Sequence, residues 1–215
     1  MFPRVFLNPS EEIEVAQGFP WVFDNEISHV KFEEKSGVKQ ASLGDCSVKD
    51  GEVVEVFANA GGFLGTGVIN RTSKISVRII GREHADQIMK DSRAYYAKKI
   101  QDAYDLRKLY YDRKDSYRLV YAEADLIPGL IVERYCDVKK NIYLVVQFLS
   151  LSAEVFRKEI LEALNSIIRP YGIFERDDAA VREKEGLEEK SCWIGEARDE
   201  KIMIRENDVL LEVDI

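Results

Sequence analysis

The first third of the chain alternates apolar and polar positions with the period of a β-strand. The stretch ISVRII at residues 75–80 changes character at nearly every residue, and a period of two predicts a strand with one buried face. Glycine-containing turns separate such runs by about eight to ten residues, a spacing typical of small antiparallel barrels. The pattern predicts a compact, mostly β domain over residues 1–84.

From residue 85 onward the apolar spacing changes to that of helices alternating with strands. We predict one long helix at about Asp86–Tyr111, and a second helix whose apolar stripe begins at Phe156, capped by Ser150 or Ser152. Five strands are predicted at residues 117–122, 130–135, 142–149, 201–205 and 209–213. The pattern predicts a second domain over residues 85–215, of mixed α/β character.

The glycine-rich stretch NAGGFLGTGVIN at residues 59–70 raises the question of a nucleotide-binding loop. A dinucleotide loop requires G-x-G-x-x-G between a strand and a helix, because the helix N-terminus holds the pyrophosphate. Here the spacing is reversed and another strand-like run follows. The pattern therefore favours a hairpin bend with close strand crossing, and direct backbone contact to a ligand stays an alternative.

Composition and charge narrow the function classes. Hydrophobic residues make up 46% and charged residues 33% of the 215 residues, which is typical of a folded globular protein. The net charge of −8 argues against wrapping nucleic acid by overall charge, so such contact requires a local basic patch. No signal sequence and no apolar run of bilayer length is present, so we expect a cytoplasmic protein without a membrane partner.

Cysteines and histidines give no sign of a metal or disulfide framework. Cys46, Cys136 and Cys192 are far apart in sequence, and His29 and His84 are isolated. Zinc ligands usually occur in closely spaced pairs. We therefore predict no metal site.

A candidate basic patch lies at residues 93–118, where eight basic and four acidic residues give a local charge of +4. Six tyrosines lie among them, so cations for phosphates stand beside rings on which unpaired bases could stack. An alternative interpretation is a solvated helix face, because Tyr96, Ile100, Ala103, Leu106 and Tyr110 recur at helical spacing and predict a buried stripe. Both interpretations stay open.

The stretch YRLVYAEADLIPGLIVERY at residues 117–135 places Glu123, Asp125, Pro128 and Gly129 in a turn between two strands. Two nearby carboxylates could perform acid–base chemistry. We favour a structural role, in which they cap backbone amides or pair with Arg118 or Arg134, because no nucleophile accompanies them.

Four stretches together resemble the N-terminal part of the bacterial large-subunit ribosomal RNA cytosine-C5 methyltransferases. The resemblance extends in order over essentially the whole chain, and the chain departs from the family at Leu126-Ile127, where Gly-Leu is usual. The matching stretches are GFPWVFDNEI (18–27), GGFLGTGVINRTSKISVRII (61–80), the turn stretch at 117–135 and ERDDAAVREKEGL (175–187).

The resemblance implies an α+β fold class: a small PUA-like RNA-binding β-barrel at 1–84, then the family's middle α/β domain at 85–215, and no Rossmann SAM domain in this chain. The family's glycine-rich SAM loop and its proline-cysteine motif would follow Ile215. We therefore expect no catalytic residue and no cofactor in this chain, with S-adenosylmethionine implied for the full-length family. The expected role is that of the substrate-docking portion of an RNA methyltransferase.

The expected partner is RNA, which the resemblance narrows to ribosomal RNA, and a homodimer stays open. Candidate contacts combine basic residues with one aromatic and one amide side chain: Trp21, Asn25, Arg71, Lys74, Arg78, Arg93, Lys98, Lys99 and Arg107. An aromatic residue in FPWVF is more often core than a stacking platform, so Trp21 has this alternative interpretation. Two other interpretations stay open: a complete, non-catalytic RNA-binding protein in ribosome assembly or regulation, and a protein–protein adaptor.

Overall fold

The computed structural model describes all residues, 1–215, and divides into two compact units. The first comprises Met1–Asp91 with residues 184–186, and the second comprises Ser92–Glu183 with residues 187–215. The division at residues 84 and 85 into two domains stays a prediction. None of the helices is both long and apolar enough to cross a lipid bilayer.

The first unit is built on one mixed sheet of seven strands. Strand β1 pairs antiparallel with β3 and parallel with β5, so the sheet order is β2-β7-β6-β5-β1-β3-β4. Its elements are β1 (Arg4–Leu7), α1 (Glu12–Ala16), β2 (Trp21–Phe23), β3 (Ile27–Glu34), β4 (Gly37–Ala41), β5 (Val53–Phe57), β6 (Phe63–Ile69), β7 (Ile75–Gly81) and α2 (Ala85–Lys90).

The parallel pair makes the expected small antiparallel barrel wrong as a description of this sheet. Sequence spacing identifies strands but not which strand a returning segment joins, and β1 inserts between β3 and β5. The alternation in β7 also differs from a half-buried strand, because Ser76 and Arg78 are buried along with Val77 and Ile79. Strand β7 lies between β2 and β6, and both of its faces are covered.

The glycines of residues 59–70 serve the packing of strands, as the sequence predicts. Gly61 lies in the β5–β6 turn with φ +96°, a conformation that glycine adopts at little cost. A Cβ atom at Gly65 would lie 2.9 Å from the Gly81 carbonyl oxygen, and one at Gly67 would lie 2.7 Å from the Arg78 carbonyl oxygen. The glycines therefore allow β6 and β7 to cross closely.

The second unit has a five-stranded sheet with helices α3 and α5 in contact with each other. The sheet order is β12-β11-β10-β9-β8, with β10 and β11 parallel. A two-stranded hairpin follows. The elements are α3 (Ser92–Arg107), β8 (Tyr117–Tyr121), β9 (Leu130–Cys136), β10 (Ile142–Phe148), α4 (Leu151–Val155), α5 (Arg157–Ile168), β11 (Gly172–Asp177), α6 (Val181–Lys184), β12 (Lys190–Trp193), β13 (Lys201–Glu206) and β14 (Val209–Asp214).

The predicted long helix is two helices. The chain breaks at Asp91, whose φ of −152° and ψ of 74° are not helical. In α3 the predicted stripe is buried at Tyr96 and Ile100, but Tyr110 is 77% exposed because the helix ends at Arg107. Ser150 is a cap as predicted, although it caps the short α4, where its hydroxyl accepts from the Ala153 amide. Strands β11 and β12 are not predicted from the sequence.

Candidate nucleic-acid interface

The edge of the first sheet brings together two of the predicted RNA contacts. Strands β2 and β7 pair antiparallel, which sets Trp21 opposite Arg78. The Arg78 guanidinium lies 5.6 Å from the Trp21 ring centroid, within range of a cation–π interaction. Phe19 and Phe23 meet the Trp21 ring edge-on. Trp21 is half-buried, so one part of the ring packs and another part meets solvent.

Arg78 is held inside the unit by a carboxylate. Its Nη2 lies 2.7 Å from Oε1 of Glu185, which is itself buried and also accepts a 2.7 Å hydrogen bond from the Ser73 hydroxyl. Asn70 donates to the same residue at 3.1 Å. Removing one member of such a buried pair is strongly destabilising. The geometry therefore gives Arg78 a structural role, in which it orients the Trp21 ring.

Lys74 and Asn25 lie at the same edge and face solvent. Lys74 has an 88% exposed side chain whose Nζ lies 3.0 Å from Oδ2 of Asp24, and Asn25 is exposed in the short 3₁₀ turn that contains Asp24. The hydrogen bond from Lys74 lowers the pKa of Asp24. An exposed pair of this kind is worth little, so an anionic ligand can take the place of Asp24.

Arg71 is the fifth predicted contact of this unit. Its Nε lies 3.2 Å from Oδ1 of Asp50, and its Nη1 donates to the Cys46 carbonyl at 3.0 Å. The side chain is 32% exposed. Arg71 thus ties the β6–β7 turn to Asp50 and Cys46, and its side chain stays partly exposed to solvent.

Three glutamates share a cavity with Trp21. A cavity of about 220 Å³ there is lined by Glu11, Glu14 and Glu26 together with Trp21 and Phe19. Burial raises the pKa of Glu26. Negative charge in this cavity disfavours a phosphate there.

The second unit carries four predicted contacts on helix α3, here called the α3 cations: Arg93, Lys98, Lys99 and Arg107. Arg93 pairs with Glu162 on α5 at 3.1 Å, and Lys98 pairs with Asp102 one turn further along α3 at 2.6 Å. Lys99 donates to the Leu126 carbonyl at 2.7 Å. Every α3 cation, including Arg107, already has a partner within the unit.

Arg107 and Asp125 form the strongest of these contacts. The guanidinium binds both carboxylate oxygens, with Nη2 to Oδ2 at 2.7 Å, and the Tyr121 amide donates to the same Oδ2 at 2.6 Å. The side chains are 15% and 4% exposed. Asp125 therefore ties α3 to the turn after β8. Its partner is Arg107, whereas the sequence suggested Arg118 or Arg134; Arg118 pairs instead with Glu133.

The Pro128-Gly129 turn is fixed from the far side by Ser150. Gly129 has φ +77°, and a Cβ atom at this position would collide with the Ser150 side chain. The Ser150 hydroxyl donates to the Pro128 carbonyl at 3.0 Å. Leu126 has φ +60°, and its amide donates to the Glu123 carbonyl at 3.0 Å. The turn residues thus build structure.

Sequence reasoning missed a second group of cations in this unit. Four exposed residues, here called the cleft cations, line a cleft of about 1120 Å³: Arg113, Lys114, Lys140 and Arg169. Arg113 and Lys114 fall inside the basic segment found in the sequence. Lys140 and Arg169 follow β9 and α5, and only the fold brings them beside the other two.

The remaining polar clusters are internally neutralised. Glu154, Glu175 and Asp177 lie close enough to share a metal ion, but Arg157, Arg182 and Lys190 pair with them. His84 Nδ1 lies 2.8 Å from Oε1 of Glu55. Among the thiols, Cys46 and Cys136 are buried, and burial raises the pKa of Cys136. The acidic cluster is an ion-pair network.

Comparison with known proteins defines the class of this fold. Residues 5–82 match a PUA-like domain. Two solved structures align with 99% of the chain at a TM-score of 0.70: a proposed SAM-dependent methyltransferase from Streptococcus mutans, at 16% identity, and a proposed methyltransferase in complex with SAH, at 17% identity. The alignments cover 48% and 47% of those chains. The chain therefore shares its fold with about half of a methyltransferase.

The relatives found by sequence carry a more specific description than the solved structures. The chain is 31% identical over 218 residues to ribosomal RNA large subunit methyltransferase I of Aliivibrio fischeri, and 33% identical to the protein of that name from Vibrio cholerae. Both alignments cover 100% of this chain, and 50% and 49% of the relatives. The chain thus spans about half the length of these relatives, and all of it, including the PUA-like domain, is similar to part of a ribosomal RNA methyltransferase.

These findings correct the fold class expected from the sequence. The expected α+β fold class, an antiparallel barrel followed by a mixed α/β domain and no Rossmann SAM domain, is wrong, because methyltransferase structures align with 99% of the chain; the PUA-like character of the N-terminal domain is confirmed. The supported description is a fold shared with about half of two solved methyltransferase structures, with a PUA-like domain at the N-terminus that contains the mixed sheet of seven strands. Sequence periodicity does not predict which strands pair in parallel, as β1 and β5 do.

Proposed function

We propose that this chain supplies the RNA-docking part of a SAM-dependent ribosomal RNA methyltransferase that acts at cytosine C5. The observation that carries the proposal is similarity along the whole chain to ribosomal RNA large subunit methyltransferase I. The PUA-like domain at residues 5–82 supports RNA as the partner. The cytosine target rests on the resemblance of the four stretches described above.

Docking by the first unit would use the edge of β2 and β7. Lys74 reaches solvent and is held only by an exposed carboxylate, so a phosphate can replace Asp24 at small cost. Asn25 beside it offers an amide that can donate and accept. Trp21, supported by Arg78, offers a ring edge for one base, and Arg71 extends the basic edge.

Methylation at cytosine C5 uses a cysteine thiolate that adds to C6, so that C5 can take the methyl group. The buried Cys136 has a raised pKa, which disfavours the thiolate. S-adenosylmethionine would supply the methyl group, but NAGGFLGTGVIN does not fit it, because β7 rather than a helix follows the glycines. We therefore assign to these residues the holding of RNA, and no step of methyl transfer.

The test is direct binding of RNA by this chain. Fluorescence anisotropy with labelled single-stranded and hairpin RNA segments of large-subunit ribosomal RNA should give saturable binding whose log affinity falls with log salt, by about 0.7 per phosphate contact on a single strand. Duplex DNA of equal length is the control and should bind more weakly. Equal affinity for both, or no binding to RNA, would overturn the proposal.

A second measurement separates docking from catalysis. Calorimetric titration measures whether this chain binds S-adenosylmethionine, and a methyl-transfer assay on the same RNA measures the chemistry. We expect the chain to bind the RNA without transferring a methyl group to it. Transfer of methyl groups by the chain alone would show that its own residues perform the chemistry, and would refute the assignment to docking.

A further inference from the structure

The cleft in the second unit is lined by five cations and one acid. Its walls come from helix α3 with the α3–β8 loop, the β9–β10 region and the end of α5. The cleft cations are joined there by Arg134, and Asp112 is the single acidic residue in the lining. In a chain of net charge −8, such a local excess of positive charge focuses an attractive field for anions.

The cleft cations have no counter-ion. Arg113, Lys114, Lys140 and Arg169 are all exposed, and none lies within 4.0 Å of a carboxylate oxygen as an ion pair. The α3 cations in the same unit are all engaged. Unpaired cations gathered around one cleft are the arrangement that an anionic partner neutralises best, since no internal contact has to be broken first.

Arg134 supplies a second, independent sign of an anion. It is 3% exposed and pairs with no carboxylate; it donates to the Asp115 carbonyl and, at 2.7 Å, to the Arg113 carbonyl. Its Nε is buried without a hydrogen-bond partner. A buried charge without a counter-ion is costly. Arg134 thus both holds the loop that carries Arg113 and leaves a positive charge at the cleft wall for a ligand to balance.

Two of the cleft cations stand where the backbone is strained. Lys140 has φ +69° and Arg169 has φ +53°. Both values lie in the left-handed region, which glycine and asparagine adopt at lower energetic cost than other residues. Arg169 ends α5 at a position where glycine is common. At both positions the chain carries a long cationic side chain that lines the cleft.

Aromatic rings adjoin the cations. Tyr104 lines the cleft. Tyr111 stacks on Tyr117 at a centroid distance of 4.7 Å, and the Arg134 guanidinium lies 5.0 Å from the Tyr117 centroid. Tyr110, next in the chain, is 77% exposed. Rings beside unpaired cations suit unpaired bases on a phosphate backbone, where each base can stack.

We propose that this cleft binds the sugar–phosphate backbone of single-stranded or loop RNA, with the cleft cations on successive phosphates and the nearby tyrosines available to bases. The inference rests on the proposed function and adds a second RNA contact, in the second unit. Its cations are spread over three segments of the chain, so a polymer with several phosphates fits it better than one small anion.

The experiment compares two quadruple variants of equal charge change. The cleft variant carries Arg113→Gln, Lys114→Gln, Lys140→Gln and Arg169→Gln. The matched control replaces four exposed cations that pair with no carboxylate and lie elsewhere: Lys35→Gln, Lys49→Gln, Lys90→Gln and Lys158→Gln. Because all eight side chains are exposed, both variants should keep the wild-type circular dichroism spectrum and melting temperature.

Anisotropy with one labelled single-stranded RNA, measured from about 50 to 300 mM salt, gives the result. We expect the cleft variant to bind roughly tenfold or more weakly and its salt slope to fall by about three, which is the loss of four contacts at about 0.7 each. The control should lose no more than a few-fold in affinity. Photo-cross-linking of wild-type protein to RNA containing 4-thiouridine should label peptides that contain Tyr104 or Tyr110.

The outcomes separate this inference from the proposed function. If wild-type protein binds RNA and the cleft variant matches the control, the cleft inference is overturned and docking through the first unit stands. If wild-type protein binds no RNA, the proposed function fails with it. If the cleft variant does not fold, the cross-links decide: labels confined to residues 1–91 overturn the inference, and labels at Tyr104 or Tyr110 support it.

Discussion

The α3 cations and the cleft cations belong to the same unit, and they differ in what neutralises them. Along α3, each positive charge meets a carboxylate or carbonyl of the unit itself, as Arg107 meets Asp125. Around the cleft, Arg113 and Lys140 face solvent without a partner. Charge counted along the sequence treats both groups alike. The geometry separates charges that hold the fold together from charges that are open to a ligand.

The largest expected effect is on stability, and it concerns the α3 cation Arg107, which is paired with Asp125. Replacing Asp125→Ala leaves the Arg107 guanidinium and the Tyr121 amide without their acceptor. We expect the free energy of unfolding in urea to fall by about 3–5 kcal/mol, as is usual when one partner of a buried ion pair is removed. The control Arg169→Gln should stay within about 0.5 kcal/mol of wild type.

The double variant Arg107→Ala with Asp125→Ala sharpens this test. Because it removes both charges, it should cost less than the sum of the two single changes. Additive losses, or a loss below about 1 kcal/mol for Asp125→Ala, would mean that the pair does not hold α3 to the turn.

The acidic network at the end of β11 gives the next effect, and it depends on pH. Burial raises the pKa of Asp177 to about 7, against an ordinary value of 3.8, and outweighs the nearby Arg182 guanidinium, which lowers it. Between these values the folded protein keeps a proton that the unfolded chain has released, so stability is present at low pH and is lost as pH rises through about 7. Asp177→Asn should remove this loss, of which on the order of 3 kcal/mol falls between pH 5 and 7.

Urea unfolding of wild type and Asp177→Asn at pH 5 to 8 measures the slope. The variant keeps a side-chain oxygen to accept from the Phe148 amide, which now bonds Asp177 at 2.7 Å. Glu175 works in the opposite direction, because Arg157 and Lys190 overcome its burial and lower its pKa; its contribution is lost only as pH falls below about 4.5. Parallel slopes for the two proteins would contradict the raised pKa of Asp177.

Sequence reasoning reached the elements better than their arrangement. Period two located β7, and the glycine spacing predicted the close crossing of β6 and β7. The same reasoning could not place β1 between β3 and β5, because parallel pairing leaves no local signal. It also could not find the cleft, since Lys140 and Arg169 are far from Arg113 in sequence and meet only through the fold.

Two residues in the left-handed region provide the next comparison. Leu126 and Lys140 have φ of +60° and +69°, and glycine at either position relieves the strain. We expect Leu126→Gly and Lys140→Gly each to raise the free energy of unfolding by about 0.5–1 kcal/mol. RNA affinity should fall only for Lys140→Gly, because Lys140 lines the cleft. Equal RNA affinity for the two variants would mean that Lys140 does not contact RNA.

The smallest expected effect is that of Lys98→Gln. Lys98 and Asp102 form an exposed pair four residues apart on α3, and such pairs contribute about 0.3–0.5 kcal/mol. RNA contact by Lys98 stays a prediction from the sequence, and a phosphate would have to displace Asp102 from it. We therefore expect a smaller loss of RNA affinity for Lys98→Gln than for Lys140→Gly in the anisotropy measurement. A larger loss would mean that RNA binds along α3 rather than in the cleft. The α3 cations would then both stabilise the fold and contact the RNA.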